Sequence, residues 1–225
     1  MALCQTVLSF ILGALASIFA TIVFERLRRP TLSVQLAPAD DKNYGAAHPI
    51  AHTARFLQVS VRNREPPPLF GWLSRNAASQ CVAAITFYHL DGQRVFTEDM
   101  PGRWSGWPEP LQLVGHVGGQ PIELVNPYYL SLEFRRINIY SGAPRSLDVA
   151  VRFDNDEDCY GWTTANYNSQ PQWKDPARRL PSGRYIVKVN VHADAAATSA
   201  CFRLINDTAV EDFRLAATLP GDPIV

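Results

Sequence analysis

Apolar positions along this chain follow two different rules. Nothing from Thr6 to Phe24 is ionisable, and the run TVLSFILGALASIFATIVF is followed at once by Glu25, Arg26, Leu27, Arg28, Arg29 and Pro30. From Thr31 onward the pattern changes to short alternating runs rich in Val, Ile, Phe and Tyr, broken by Pro, Gly and Asn. The first pattern is that of one long apolar helix; the second is that of half-buried strands between turns.

Nineteen residues at about 1.5 Å rise cover roughly 28 Å, close to the hydrocarbon thickness of a bilayer. A core helix of a soluble domain carries a polar face, and this run carries only small hydroxyl residues, so it is expected to cross a membrane. Ala14, Leu15 and Ala16 resemble a signal-peptide cleavage site, but no Lys or Arg precedes the run, and cleavage there would leave an apolar stub through Phe24. Arg26, Arg28 and Arg29 follow the span and no basic residue precedes it. Basic residues beside a span are retained in the cytoplasm, which predicts an outside N-terminus in the inner (cytoplasmic) membrane, a cytoplasmic soluble domain and contact of these arginines with anionic headgroups. The alternative is an anchored domain outside the cytoplasm. Ser9, Gly13, Ser17 and Thr21 recur every four residues, a stripe of small side chains that suits self-association of spans in lipid.

The expected organisation is therefore a helix with a basic flank over residues 1–29 and one soluble domain over 30–225. The clearest strands are expected at 31–36, 55–62, 81–89, 146–153, 184–192 and 201–205, with weaker ones at 93–96, 111–114, 133–140 and 211–215. Strands in succession without helices imply antiparallel sheets, and a chain this long buries a core best as two packed sheets. The expected fold is mainly β, an antiparallel sandwich after one N-terminal transmembrane helix. Long connections at 37–54, 63–80, 98–110 and 160–181 are rich in Pro, Trp and Asn.

LPSGRYIVKVNV from Leu180, then CFRLIND and EDFRLA, together with the earlier FLQVSVRN and AASQCVAAITFYHLDGQRVF, resemble strands of bacterial immunoglobulin-like and CARDB-like domains, with Asp91-Gly92 as a hairpin turn. The layout also resembles bacterial single-pass membrane proteins bearing such a sandwich. That resemblance implies a scaffold and supplies no activity.

Composition then narrows the partners. Lys plus Arg equals Asp plus Glu at 21 each, so no global field draws the chain onto nucleic acid. No GxSxG, HExxH, GxxxxGK[ST] or CxxC motif occurs, and no cofactor or catalytic residue is implied. His48 and His52 flank Pro49 in a loop, and His89, His116 and His192 fall at strand ends, where hydrogen-bonded structural histidines are expected. Asp154, Asp156 and Asp158 alternate as calcium ligands could, but Cys159 and Ala165 stand where an EF-hand needs Gly and Glu. Asp154 and Asp156 are also the first carboxylates to suspect in an enzyme assembled only in space. Cys159 is disfavoured as a nucleophile by those carboxylates, Cys81 and Cys201 read as core, and the Asn206-Asp207-Thr208 sequon reads as chance.

Aromatic loops are the strongest remaining signal. Arg103, Trp104 and Trp107 in PGRWSGWPEP, and Tyr160, Trp162, Tyr167 and Trp173 further on, either form a binding platform or fill the ends of the sandwich. The sequence thus predicts a non-enzymatic, membrane-anchored binding module that contacts a protein partner or small ligand through these loops. A second expectation is an oligomeric membrane effector, as in some prokaryotic defence systems, whose spans rearrange when the sandwich captures a ligand.

Overall fold

The computed structural model describes residues 2–45, 51–70, 72–107, 111–117, 120–125, 136–154 and 156–222, with side chains described outside 2–9 and 111–125. Helix α1 covers Ala2–Arg28. Its stretch Phe10–Arg28 has a mean hydropathy of 1.8, and none of it is buried against the rest of the chain. An apolar helix with no intramolecular partner needs lipid or another protein around it, so α1 is long and apolar enough to be a membrane anchor or a signal sequence.

Everything after it that is described is sheet, turns and short 3-10 segments, and both sheets are antiparallel, as expected. One contains β1 (Leu32–Leu36), β2 (Asp40–Asn43), β3 (Thr53–Asn63), β6 (Arg103–Trp104), β10 (Arg145–Phe153), β11 (Cys159–Gly161) and β12 (Arg179–Leu180), in the order β1-β3-β10-β11-β12, with β2 on β3 and β6 on β10. The other contains β4 (Ala78–Tyr88), β5 (Met100–Pro101), β9 (Ile137–Ile139), β13 (Arg184–Ala193), β14 (Ala196–Ile205) and β15 (Arg214–Ala217), in the order β15-β14-β13-β4-β5, with β9 on β4. Strands β7 (Leu111–Val117) and β8 (Gln120–Val125) pair with each other.

Alternation fixes which face is inside. Leu57, Val59 and Val61 of β3 meet Ile85 and Phe87 of β4 and Val187, Val189 and Val191 of β13 in one core between the sheets. Pairing of Val187 with Phe87 and of Val189 with Ile85 stacks these side chains in rows. Tyr185 locks the entry to β13 by donating its hydroxyl to the Pro181 carbonyl at 2.8 Å. The turn at Asp91-Gly92 forms as expected: Gly92 has φ 86, and the Asp91 carboxylate accepts from the Gln93 amide at 2.9 Å.

Departures from expectation concern short or polar pieces. Residues 93–96 make a bridge from Arg94 to Tyr88, held by the His89 amide on the Gln93 carbonyl and the Val95 amide on the Phe87 carbonyl, and the Arg94 side chain turns to the Thr97 carbonyl and Asp99. The segment expected at 211–215 is a turn, Val210–Asp212, followed by β15. Of 133–140 only Ile137–Ile139 is strand, and 133–135 lie outside the described residues. Strand β2, DDKN, was hidden in an expected loop because an exposed polar edge strand carries no apolar alternation.

Candidate functional site

Tyr160, Trp162, Tyr167 and Trp173 collect on the outer face of the first sheet. Strand β10 carries a bulge between Asp148 and Ala150. Before it Leu147 points into the core between the sheets; after it Val151 and Phe153 point the other way, beside Phe56 of β3. That side is covered by the connection from β11 to β12, which lays Tyr167 and Trp173 over Phe56, Phe153, Tyr160 and Trp162. A capping box, with Thr163 and Asn166 exchanging side-chain to backbone bonds, shapes the 3-10 turn Thr164–Asn168 that delivers Tyr167. Trp162 and Tyr167 meet edge to face with centroids 5.0 Å apart, and Trp162 and Trp173 do so at 6.3 Å. Trp104, Trp162, Tyr167 and Trp173 are each 2% exposed or less, and Tyr160 is 8% exposed. Of the two expectations for these rings, contact surface or filling of the sandwich, their burial fits the second: Trp104 lies between the sheets and the other four in a second, aromatic core.

Arg103 is also interior. Its Nη1 donates to Asp148 Oδ2 at 2.7 Å, its Nη2 to the Trp107 carbonyl at 3.3 Å, and its guanidinium lies 5.4 Å from the Tyr167 ring centroid. Gln58 donates to the other Asp148 oxygen at 2.9 Å. Burial pushes the Asp148 carboxyl up, while Arg103 and Gln58 pull it back. A guanidinium held this way is a structural counter-ion and not a free hand for an anionic ligand. The pair lines a cavity of about 70 Å³ with Trp107, Trp162 and Tyr167, room for only a few water-sized guests.

Trp107 stands between that cavity and an open groove. The turn from Trp104 to Trp107, closed by the Trp107 amide on the Trp104 carbonyl at 3.1 Å, leaves Trp107 half-buried. Beyond it lies a groove of about 590 Å³ lined by Trp107, Ile137, Asn138, Tyr140, Arg145 and Ser146 among others. Tyr140 is 58% exposed, and Arg145 is exposed. This combination of one half-buried indole, one exposed phenol and one exposed guanidinium is where the described surface offers stacking and charge together. Of the seven expected contact residues, Trp107 alone is only partly buried, and no motif marks Tyr140 or Arg145.

The aspartates diverge. Asp154 accepts the amides of His52 at 2.9 Å and Thr53 at 2.8 Å, Asp156 pairs with Lys174 at 2.6 Å, and Asp158 pairs with Arg179 at 2.5 Å. Burial raises the Asp154 carboxyl, but the amides of Thr53 and His52 outweigh it and hold it below the usual range. Among the described residues no group of three or more His, Cys, Asp or Glu side chains converges as metal ligands do. His52, His89 and His192 are exposed, while His48 and the side chain of His116 lie outside the described residues.

Burial pushes the Cys81 thiol up to about 11, and it raises those of Cys159 and Cys201 as well; none of the three is in a disulfide. None is a ready thiolate nucleophile. Asn206 is 1% exposed, and its side-chain amide donates to the carbonyls of Glu157, Leu180 and Pro181, so the sequon's acceptor nitrogen is part of the fold.

At the other end, the exit of α1 is fastened to the sandwich. Arg75 Nη1 donates to the Leu27 and Arg29 carbonyls at 3.3 and 2.8 Å, and the Asn76 amide donates to the Arg28 carbonyl at 2.7 Å. Buried Asn63 ties these pieces together, accepting from the Thr31 amide and donating to the Asn76 and Ile139 carbonyls. Gly13, Ser17 and Thr21 of the small-residue stripe are exposed, and the Thr21 hydroxyl donates back to the Ser17 carbonyl at 2.9 Å; the side chain of Ser9 lies outside the described residues.

No family model, curated protein or solved structure matches the chain. The class that fold and site define is a β-sandwich behind one apolar N-terminal helix, and the reading of its role rests on its own geometry.

Proposed function

We propose that this protein is a membrane-anchored, non-enzymatic binding module: α1 spans the bilayer, Arg26, Arg28 and Arg29 hold the cytoplasmic side, and the groove beside Trp107 receives a protein partner or small ligand. The observation that carries this reading is the groove, which brings together Trp107 from the turn after β6, Tyr140 from the end of β9 and Arg145 from the start of β10. Among the described residues no group of three or more metal-ligating side chains competes with it, and burial raises the Cys81 and Cys159 thiols. The immunoglobulin-like or CARDB-like kinship belongs to the same proposal, supported by the Tyr185 to Pro181 bond at the entry to β13.

The test places a photo-crosslinking residue at Tyr140 in the full chain in its native membrane. An adduct whose yield falls severalfold with Trp107→Ala, and which is absent when the crosslinker sits at exposed Ala197, supports the groove. Equal adducts at both positions, or none at Tyr140, overturn it. Orientation is tested separately by impermeant maleimide labelling of Asn168→Cys in the exposed part of the β11–β12 connection, with Cys4, Cys81, Cys159 and Cys201 replaced by Ser or Ala. Protection in intact cells and labelling after lysis place the sandwich in the cytoplasm; labelling in intact cells places it outside.

A second reading has its own observation. Because α1 is fastened to the sandwich through Arg75, Asn76 and Asn63, a rearrangement of spans would be transmitted to the sheets, as an oligomeric effector needs. Gly13→Leu would enlarge the small stripe, and unchanged oligomer size and membrane leakage would remove this reading.

A further inference from the structure

The β3–β4 connection puts large apolar side chains into solvent beside the end of α1. Leu69 is 87% exposed and Trp72 is 71% exposed, whereas Leu73, next in sequence, is 7% exposed and anchors the turn in the domain. Backbone bonds from the Phe70 amide to Pro67 and from the Leu73 amide to Phe70, both 2.8 Å, hold the turn in shape. An outward Leu and Trp beside an anchored Leu73 are out of place in water. They are also fixed relative to the helix: the ring centroids of Trp72 and Phe24 are 5.4 Å apart, and Arg75 and Asn76 bind the helix's last carbonyls.

Depth follows from helix geometry. Phe24 lies four residues before Arg28, about 6 Å further along the axis toward the apolar run. If Arg26, Arg28 and Arg29 sit among the headgroups, Trp72 lies at the boundary of headgroups and acyl chains, the level at which Trp is enriched. We infer that the β3–β4 turn is a second membrane contact, in which Leu69 and Trp72 dip into the same bilayer leaflet that α1 leaves. It holds the sandwich at one tilt on the surface, with Arg62 and Arg64, both exposed, toward anionic headgroups. This rests on the reading of α1 as a span.

The experiment reads Trp72 fluorescence as the difference between the full chain and Trp72→Phe, both reconstituted in phosphatidylcholine and phosphatidylglycerol vesicles. The lipids are brominated either near the headgroup or near the chain ends. A second chain, Phe19→Trp in the Trp72→Phe background, reports the span. The expected result is loss of most Trp72 emission to shallow bromines and protection from aqueous iodide, with the residue at position 19 quenched by deep bromines. Iodide quenching of Trp72 with no lipid quenching, while position 19 still meets bromines, overturns the turn contact and leaves the span. Protection of Trp72 from both iodide and bromines also overturns it, assigning the patch to a second copy or another protein. Failure of deep bromines to quench position 19 removes the span and this proposal together.

Discussion

Two loops of this chain are rich in large apolar side chains, and the fold treats them in opposite ways. The β11–β12 connection buries Tyr167 and Trp173 at 2% exposure against a sheet face, whereas the β3–β4 connection leaves Leu69 and Trp72 at 87% and 71%. Residue type does not separate them; what lies beneath does. Under the first loop the β10 bulge turns Val151 and Phe153 outward next to Phe56, giving the rings an apolar floor. In the second, Trp72 lies beside Phe24 near the end of α1.

The sharpest way to break this contrast is to truncate one ring from each loop. Trp173→Ala or Trp162→Ala should cost about 3–5 kcal/mol, as for other fully buried aromatic rings, while Trp72→Ala in detergent should stay within about 0.5 kcal/mol. Denaturant unfolding followed by circular dichroism measures both. Equal costs would mean that the two loops are not different in kind.

Next is the polar edge of the aromatic core. Removing Arg103 alone, as Arg103→Met, leaves Asp148 buried without its counter-ion and should cost about 3–5 kcal/mol. The double change Arg103→Met with Asp148→Leu should recover much of that loss, because both desolvation penalties vanish together. Additive losses in the double-mutant cycle would show that packing, and not charge, holds this corner.

How much of this was visible in the sequence differs by element. Strands with strong alternation, such as β3 and β13, could be read directly because one face of each lines the core between the sheets. The short strands β6, β11 and β12 could not: two or three residues show no period, and they form by pairing, β6 and β11 on β10 and β12 on β11. The aromatic residues were visible as a cluster, but their burial depends on the one-residue bulge at Asp148–Ala150, which reverses the facing of β10 midway. Arg103 looked like a ligand contact because its partner Asp148 is 45 residues away, as is its register with β10. Apolar Leu69 and Trp72 in a Pro-rich loop were a signal that went unread.

A smaller effect tests how tightly β11 joins the two cores. A Cβ at Gly161 would collide with Met100 Sδ and approach Phe87, so this strand comes close because it carries no side chain there. Gly161→Ala should cost about 1–3 kcal/mol by overpacking, and Met100→Ala in the same chain should relieve part of it. A neutral Gly161→Ala would mean that the end of Met100 or β11 itself gives way without cost.

The smallest expected effect concerns the rim of the aromatic core, where Asp154 holds the amides of His52 and Thr53 beside Ala51, itself 2% exposed. Because those bonds hold the Asp154 carboxyl below its usual range, its folded value lies below the unfolded one of about 3.9. The latch therefore contributes fully above that value and is lost as the pH falls through the depressed folded value. In an acid titration followed by NMR, the His52 and Thr53 amides should shift first while the Trp162 and Trp173 indole signals hold, and Asp154→Asn should shift the same amides at neutral pH. If the indole signals move with the amides, the rim and the aromatic core open as one unit, and this loop is less firmly buried than the contrast with Trp72 requires.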